Sequence, residues 1–250
     1  EWALDTFKFD DNELMGSLSP LVFDIYSFEL CMLMAKSSTL VVIPEHLSAF
    51  PASILKILEE HKVTFLFWVP TIMVNIANMD LLSSIQLPAL KTVWFAGEVF
   101  PTKQFNYWRK MLPQTTFANL YGPIEITLDC TCFIVNREIK DEESIPIGFP
   151  CRNTDILILD ADNKLVTEAG KEGELCVRGT SLAMGYYNNP EKTASAFVQN
   201  PLNHAYPETI YRTGDVVVIN ERGEIVFKGR KDTLIKHMGY RTAVSYTHLT

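Results

Sequence analysis

What this sequence lacks narrows its class before any motif is read. No apolar run is long enough to cross a bilayer: "STLVVIP" at Ser38 to Pro44 and "VTFLFWVP" at Val63 to Pro70 are short and bounded by charge or proline. Nothing reads as a membrane segment, and the start, "EWALDTFKFDDNEL", carries no basic-then-apolar signal. Positive charge is in deficit, with 22 Lys and Arg against 30 Asp and Glu for a net charge of −8. That balance argues against a nucleic-acid partner, because neutralising phosphates needs clustered cations. The five cysteines (Cys31, Cys130, Cys132, Cys151 and Cys176) are odd in number and irregular in spacing. Cys130 and Cys132 form a C-x-C, but no second pair or nearby histidine completes a zinc set. Buried, reduced thiols are the expectation, and they suggest the cytoplasm. There is no internal repeat, no low-complexity linker and no catalytic triad. What remains is an ordinary globular composition, 47% hydrophobic and 21% charged over 250 residues, enough for one large or two modest cores.

The first part alternates helical and strand-like segments. "FDIYSFELCMLMAKS" (Phe23 to Ser37) has helical periodicity, "TLVVIP" reads as a buried strand, and "PASILKILEEHK" (Pro51 to Lys62) as an amphipathic helix with proline at its start. "VTFLFWVP", "PTIMVNIANMD", "LKTVWFAG" and "PTKQFNYWRKML" continue as strand, helix, strand and helix. Continuous apolar strands between amphipathic helices predict an α/β layer with a mostly parallel sheet covered on both faces. Ligands of such sheets sit beyond the carboxyl ends of the strands, which directs attention to "FAGEVFP" and "NLYGPIEIT". From about Ile145 the texture becomes β-rich, with the turns "DADN" and "NERG" between alternating strands reading as hairpins.

Three stretches could carry chemistry. In "NLYGPIEIT" (Asn119 to Thr127) a tyrosine ring can stack on a flat base, Gly122 can let a ligand approach the backbone, and Glu125 can bind a divalent cation over phosphates; a plain Tyr-Gly-Pro turn is the alternative. In "YRTGD" the turn carboxylate of Asp215 can accept both hydroxyls of a ribose, or cap the turn. In "GRKDTLIKHMGYR" the cations Arg230, Lys231, Lys236 and Arg241 surround Asp232 between glycines, which suits phosphate or sugar recognition or a hinge; a solvated edge hairpin is the alternative.

These motifs in this order, with "GELCVRGTSLAMGYYNNPEKTASAF" between them, closely resemble the adenylate-forming superfamily of acyl- and aryl-CoA synthetases, luciferases and peptide-synthetase adenylation domains. The strongest likeness is to amino-acid adenylation domains and D-alanine–carrier protein ligases, and it runs nearly to Arg241. The resemblance implies part of a large N-terminal domain: residues 1–140 as its α/β part, 141–230 as a β-rich, distorted-barrel subdomain and 231–241 as a hinge to a further domain.

The family activates a carboxylate with MgATP to an acyl-adenylate, then passes the acyl group to a thiol, usually the phosphopantetheine arm of a carrier protein. The resemblance puts Asn119, Tyr121 and Gly122 around the adenine, Glu125 on Mg²⁺, and Asp215 and Arg230 on the ribose. Asp232 becomes the pivot between the two half-reactions, with Lys236 just beyond it. Asp24 would bind the substrate's α-ammonium; a helix N-cap is the other reading of a carboxylate there. Ile25, Phe28, Phe67, Trp94, Ala96, Leu120, Leu128 and Asp129 would line the substrate pocket. Three large aromatics imply a small, mostly apolar amino acid such as D-alanine, although Asp129 at the rim favours a polar side chain.

The sequence departs from the pattern in three places. The Gly/Ser/Thr-rich phosphate loop with its lysine is absent before Asp24, and so is a C-terminal domain with its lysine. After Arg241 the chain continues "TAVSYTHLT", and residues 242–250 are read as a non-native tail, "VSYTHL" resembling a translated sequencing adapter. The 250 residues alone are therefore expected to bind at most, without turnover. The rivals are an acyl- or aryl-CoA synthetase, which Asp24 disfavours, and a non-catalytic nucleotide-binding relative.

Overall fold

The computed structural model describes residues 1–232, 234–237 and 240–243, the last two stretches by their backbone. The chain divides into two compact units, one built from Glu1–Asn119 with Ile134–Ile145, the other from Leu120–Phe133 with Pro146–Ile235.

The first unit runs α1 (Trp2–Thr6), β1 (Leu14–Ser17), α2 (Asp24–Lys36), β2 (Thr39–Val42), α3 (Pro51–Glu60), β3 (Phe65–Trp68), α4 (Pro70–Asn78), β4 (Thr92–Phe95), α5 (Thr102–Met111) and β5 (Thr116–Tyr121). Its strands pair in parallel in the order β2-β1-β3-β4-β5. Such pairing requires a crossover between successive strands, and the helices supply it. α3 and α4 each begin on a proline, whose missing N–H costs nothing in the first turn. α3 then buries Ile54, Leu55 and Leu58 at helical spacing, and β3, buried at all four positions, is the continuous apolar strand that a two-sided cover demands. Two buried indoles tie neighbouring elements together, Trp68 Nε1 of β3 donating to the Gly16 carbonyl of β1 and Trp108 Nε1 of α5 to the Met73 carbonyl of α4, each at 2.8 Å. β2 corrects one expectation: none of its four residues is buried and Val42 is 70% exposed. Read as an interior strand from its apolar run, it is the edge of the sheet among the described residues, pairing only with β1.

The second unit contains β6 (Thr131–Ile134), β7 (Phe149–Pro150), β8 (Thr154–Leu159), β9 (Glu172–Gly179), α6 (Pro190–Ala196), β10 (Phe197–Gln199), β11 (Thr209–Ile219) and β12 (Ile225–Arg230). Antiparallel pairing gives the order β10-β11-β9-β8, with β12 on β11 and β6 against β7. β11 and β12 form the hairpin expected at "NERG", where Asn220 Oδ1 accepts from the N–H groups of Arg222 and Glu224. At "DADN" Asp160 Oδ1 accepts from Asp162 and Lys164, but the chain makes only a bridge at Leu159–Leu165 before β9 pairs with β8. Tyr121, Ile126 and Cys130 pack into the same core as Leu175, Val177, Tyr211 and Val217, so the stretch 120–133 folds with this unit although it precedes the change of sequence texture.

Lys236 lies on the short strand β13 (Leu234–His237), whose side chains are outside the described residues, and β14 (Tyr240–Ala243) is likewise described by backbone alone. Of the expected non-native tail, residues 244–250 lie outside the described residues.

Candidate functional site

β5 ends at Tyr121 and the chain turns sharply through Gly122 and Pro123 into a single 3-10 turn, Ile124–Ile126. The space beside Gly122 is taken by the protein's own backbone: a Cβ there would sit 2.1 Å from the Leu128 carbonyl oxygen and 2.6 Å from Asp129 Cα. The glycine is thus required by the loop's return, where the sequence offered approach of a ligand as the reason. That return forces Thr127 and Leu128 to φ of 61° and 79°, a left-handed conformation costly for a β-branched residue. Thr127 Oγ1 holds the turn by donating to the Ser181 carbonyl at 2.9 Å.

Glu125 lies in the 3-10 turn, 6% exposed. Its Oε1 accepts from the Tyr186 hydroxyl at 2.8 Å, and its carbonyl accepts from Ala183 N–H at 2.8 Å. Tyr186 was not singled out by sequence reading; it stands in the "GYY" of the segment that carries the resemblance, with Lys192 Nζ 4.2 Å from its ring centre.

The second element is β11. Its pairing with β9 is interrupted between Arg212 and Val216, and Gly214 within that bulge has φ of 72°. The bulge presents Asp215, 1% exposed, to two partners. Oδ2 accepts from the Tyr121 hydroxyl at 2.5 Å, and Oδ1 from Arg230 Nη1 at 2.5 Å. Arg230, opposite Asp215 in the β11–β12 register, also forks onto Asp232, Nε to Oδ1 at 2.6 Å and Nη2 to Oδ2 at 2.8 Å. Bidentate pairing with Asp232, together with the Asp215 charge, drives the guanidinium still further from deprotonation. Burial, followed by the Asp215 charge, pushes the Tyr121 phenol well above its ordinary value, so it stays a neutral donor. The structure thus brings Tyr121, Asp215, Arg230 and Asp232 into one hydrogen-bonded chain.

Leu120, Leu128 and Asp129 belong to this unit; Leu120 is buried and the other two are half-buried. Asn119, 8% exposed, closes the register of β5 with β4 opposite Phe95. In the first unit Phe28, Phe67 and Trp94 come together, with ring centres 5.7, 5.0 and 5.4 Å apart pairwise. Phe7 and Phe9, which sequence reading missed, add rings 4.5 and 5.6 Å from Trp94. The Trp94 indole N–H is buried with no acceptor among the described residues. Ile25 and Ala96 are buried. Asp24 is the first residue of α2 and half-buried; the N-cap is Phe23, so the capping reading of Asp24 does not hold, although a carboxylate in the first turn suits the helix dipole.

Among the described residues no three His, Cys, Asp or Glu side chains form a cluster that would enclose a metal. All five cysteines are free; burial pushes the thiols of Cys132 and Cys176 up to about 12 and those of Cys130 and Cys151 well above the ordinary value, which removes these four as nucleophiles. No helix among the described residues is long and apolar enough to cross a membrane.

A family model described as "AMP-binding enzyme" matches residues 2–187. Zwittermicin A synthase ZmaJ of Bacillus cereus is 30% identical over 246 residues, covering 96% of this chain and 46% of that protein. D-alanine–D-alanyl carrier protein ligase of Bacillus anthracis is 30% identical over 246 residues, covering 96% and 47%. The crystal structure of IdnL1 superposes with a TM-score of 0.90 at 27% identity, covering 98% of this chain and 50% of that one. The chain therefore spans about half the length of each of these three proteins.

Proposed function

The chain belongs to the AMP-binding enzyme family, and on that premise we propose that it is part of an ATP-dependent amino-acid adenylating ligase that loads a carrier protein. In the first half-reaction the substrate carboxylate attacks the α-phosphorus of ATP, forming aminoacyl-AMP and releasing pyrophosphate. In the second, a phosphopantetheine thiol attacks the acyl carbon, forming a thioester and releasing AMP. Neither step needs a protein nucleophile, since both depend on positioning and charge stabilisation.

The observation that carries this reading is the buried carboxylate of Asp215, held by Tyr121 on one oxygen and Arg230 on the other. Each oxygen keeps a second lone pair, and two fixed acceptors side by side suit the vicinal hydroxyls of a ribose. Arg230 pairs with the carboxylate and adds a donor, while Asn119, Tyr121 and Gly122 border the adenine. Asp232, 53% exposed and tied to Arg230, is the hinge residue between the half-reactions, and Lys236 follows it.

Glu125 would hold Mg²⁺. A single carboxylate fits that ion, which keeps several waters and takes its other ligands from phosphates. When bound, the ion neutralises phosphate charge.

For the substrate, Asp24 receives the α-ammonium group, with Ile25, Phe28, Phe67, Trp94 and Ala96 of the first unit as lining. The close packing of Phe28, Phe67 and Trp94, reinforced by Phe7 and Phe9, supports a small side chain such as that of alanine. Discrimination of one methyl group is worth about 1–3 kcal/mol, so alanine and glycine are expected to lie close together. Amino-acid-dependent pyrophosphate exchange by the full-length protein tests the reading. Exchange with alanine or glycine is expected, and strong exchange with phenylalanine or tryptophan but neither small substrate overturns the small pocket.

A further inference from the structure

Glu174 was in no motif assigned a role, yet it is a carboxylate 5% exposed with three donors converging on it. It lies on β9 opposite Val216, where pairing with β11 resumes after the bulge. A bulge leaves backbone groups outside the ladder, and each buried one needs another partner. Thr213 Oγ1 donates to the Leu175 carbonyl at 2.7 Å and accepts from Asp215 N–H at 3.0 Å, while the Gly214 carbonyl accepts from Lys231 N–H at 2.8 Å. The central amide of the bulge, Gly214 N–H, goes to Glu174 Oε1 at 3.1 Å. Glu174 Oε2 takes Arg212 Nη1 at 2.7 Å and Lys231 Nζ at 3.0 Å. One carboxylate thus joins the residue before the bulge, its central amide, and the residue between Arg230 and Asp232.

We propose that Glu174 is a positioning residue for the nucleotide: it closes the β11 bulge and ties it to the segment after β12, setting the orientation in which Asp215 meets the ribose. This rests on the reading of Asp215 as the ribose acceptor. The logic is one of satisfaction. Without the carboxylate, Gly214 N–H loses its acceptor, and Arg212 and Lys231 face each other without the shared anion. The turn then relaxes and carries Asp215 with it. Glu174 touches no substrate itself; it acts through Gly214 and Asp215.

The test uses the full-length protein with AMP titrated by calorimetry, amino-acid-dependent pyrophosphate exchange, and thermal melts. Glu174→Ala is expected to weaken AMP binding and raise the KM for ATP by about tenfold, with the amino-acid KM within about twofold, because only the nucleotide end is misplaced. Glu174→Gln keeps an acceptor for Gly214 N–H and is expected to recover AMP affinity to within about threefold of wild type. AMP affinity unchanged in Glu174→Ala overturns the proposal. So does an equal loss for both substrates, or Glu174→Gln no better than Glu174→Ala. Should Glu174→Ala fail to fold, Glu174→Asp decides, since it keeps the charge and shortens the reach: weaker AMP binding at an unchanged melting temperature supports the role, and wild-type affinity overturns it. A wild-type protein that binds AMP but exchanges pyrophosphate with no amino acid overturns the ligase reading alone, because the AMP titrations still decide on Glu174. A wild type that binds no AMP overturns both.

Discussion

Tyr121 and Asp215, 94 positions apart, are joined by a 2.5 Å hydrogen bond in which the phenol donates to Oδ2 of the carboxylate. Both residues are buried, so the tyrosine holds the acid from one side while Arg230 holds it from the other. Replacing Tyr121 by Phe leaves the ring in the core and removes the hydroxyl that donates to Asp215. Stability is expected to fall by about 1–3 kcal/mol, the cost of a buried acceptor left unpaired, and AMP affinity with it. Denaturant unfolding and AMP titration of Tyr121→Phe check this; wild-type values in both would mean that the hydroxyl does nothing for Asp215.

Glu29 gives the fold a pH dependence of unusual sign. It is 1% exposed on α2 and accepts from Ser17 Oγ at 2.5 Å. Burial, partly offset by that bond, pushes its carboxyl from 4.5 up to about 7. The folded state therefore binds the proton more tightly than the unfolded chain. The stabilisation is complete below pH 4.5 and is lost as pH rises through about 7, an effect on the order of 3 kcal/mol. Urea midpoints between pH 5 and 8 are expected to fall for the wild type, and the fall is expected to flatten in Glu29→Gln.

The indole nitrogens separate three buried tryptophans. Trp68 and Trp108 each donate to a carbonyl, and Trp94 has no acceptor among the described residues. Trp94→Phe forfeits ring volume but no hydrogen bond. Trp68→Phe and Trp108→Phe are expected to cost about 1 kcal/mol more, because each also loses its indole hydrogen bond. Equal losses across the three variants would contradict this; the same Trp94→Phe protein is expected to accept larger amino acids in pyrophosphate exchange.

Gly122→Ala is expected to be among the most damaging single methyl additions in the chain. The new carbon would meet backbone at 2.1 and 2.6 Å, and backbone cannot swing aside as a side chain can. A loss above about 3 kcal/mol, with a lowered melting temperature, is expected, since overpacking against fixed atoms reaches or exceeds that figure. Wild-type melting would show that the loop from Thr127 to Asp129 shifts freely.

The alternation of helices and strands in the first unit was legible because each segment carries its own period: Ile54, Leu55 and Leu58 mark a helix face, and Phe65 to Trp68 a strand buried on both sides. β2 was misread because an apolar run looks alike at an edge and in an interior, and only pairing distinguishes them. In the site, Asp215, Arg230 and Tyr121 were legible one by one from their turns. Their mutual bonding was not, since a contact across 94 positions has no local signature. The same holds for Phe7 and Phe9 against Trp94. Gly122 was read from its turn as a place where a ligand approaches the backbone, and the residue alone could not say that its own loop fills that space.

The interruption in β11 is also an exercise in counting. Arg212 faces Cys176 and Val216 faces Glu174, so four steps along one strand answer two along its neighbour. The surplus is even. Because side chains alternate between faces, an even surplus lets Val217 return to the buried side, where it is fully enclosed. Deleting one residue from Thr213 to Asp215 would invert the alternation and turn Val217 outward, whereas deleting two would keep Val217 facing the core while losing the turn and the buried bonds of Thr213 or Asp215. Tolerance to length change along this strand should therefore follow parity rather than size.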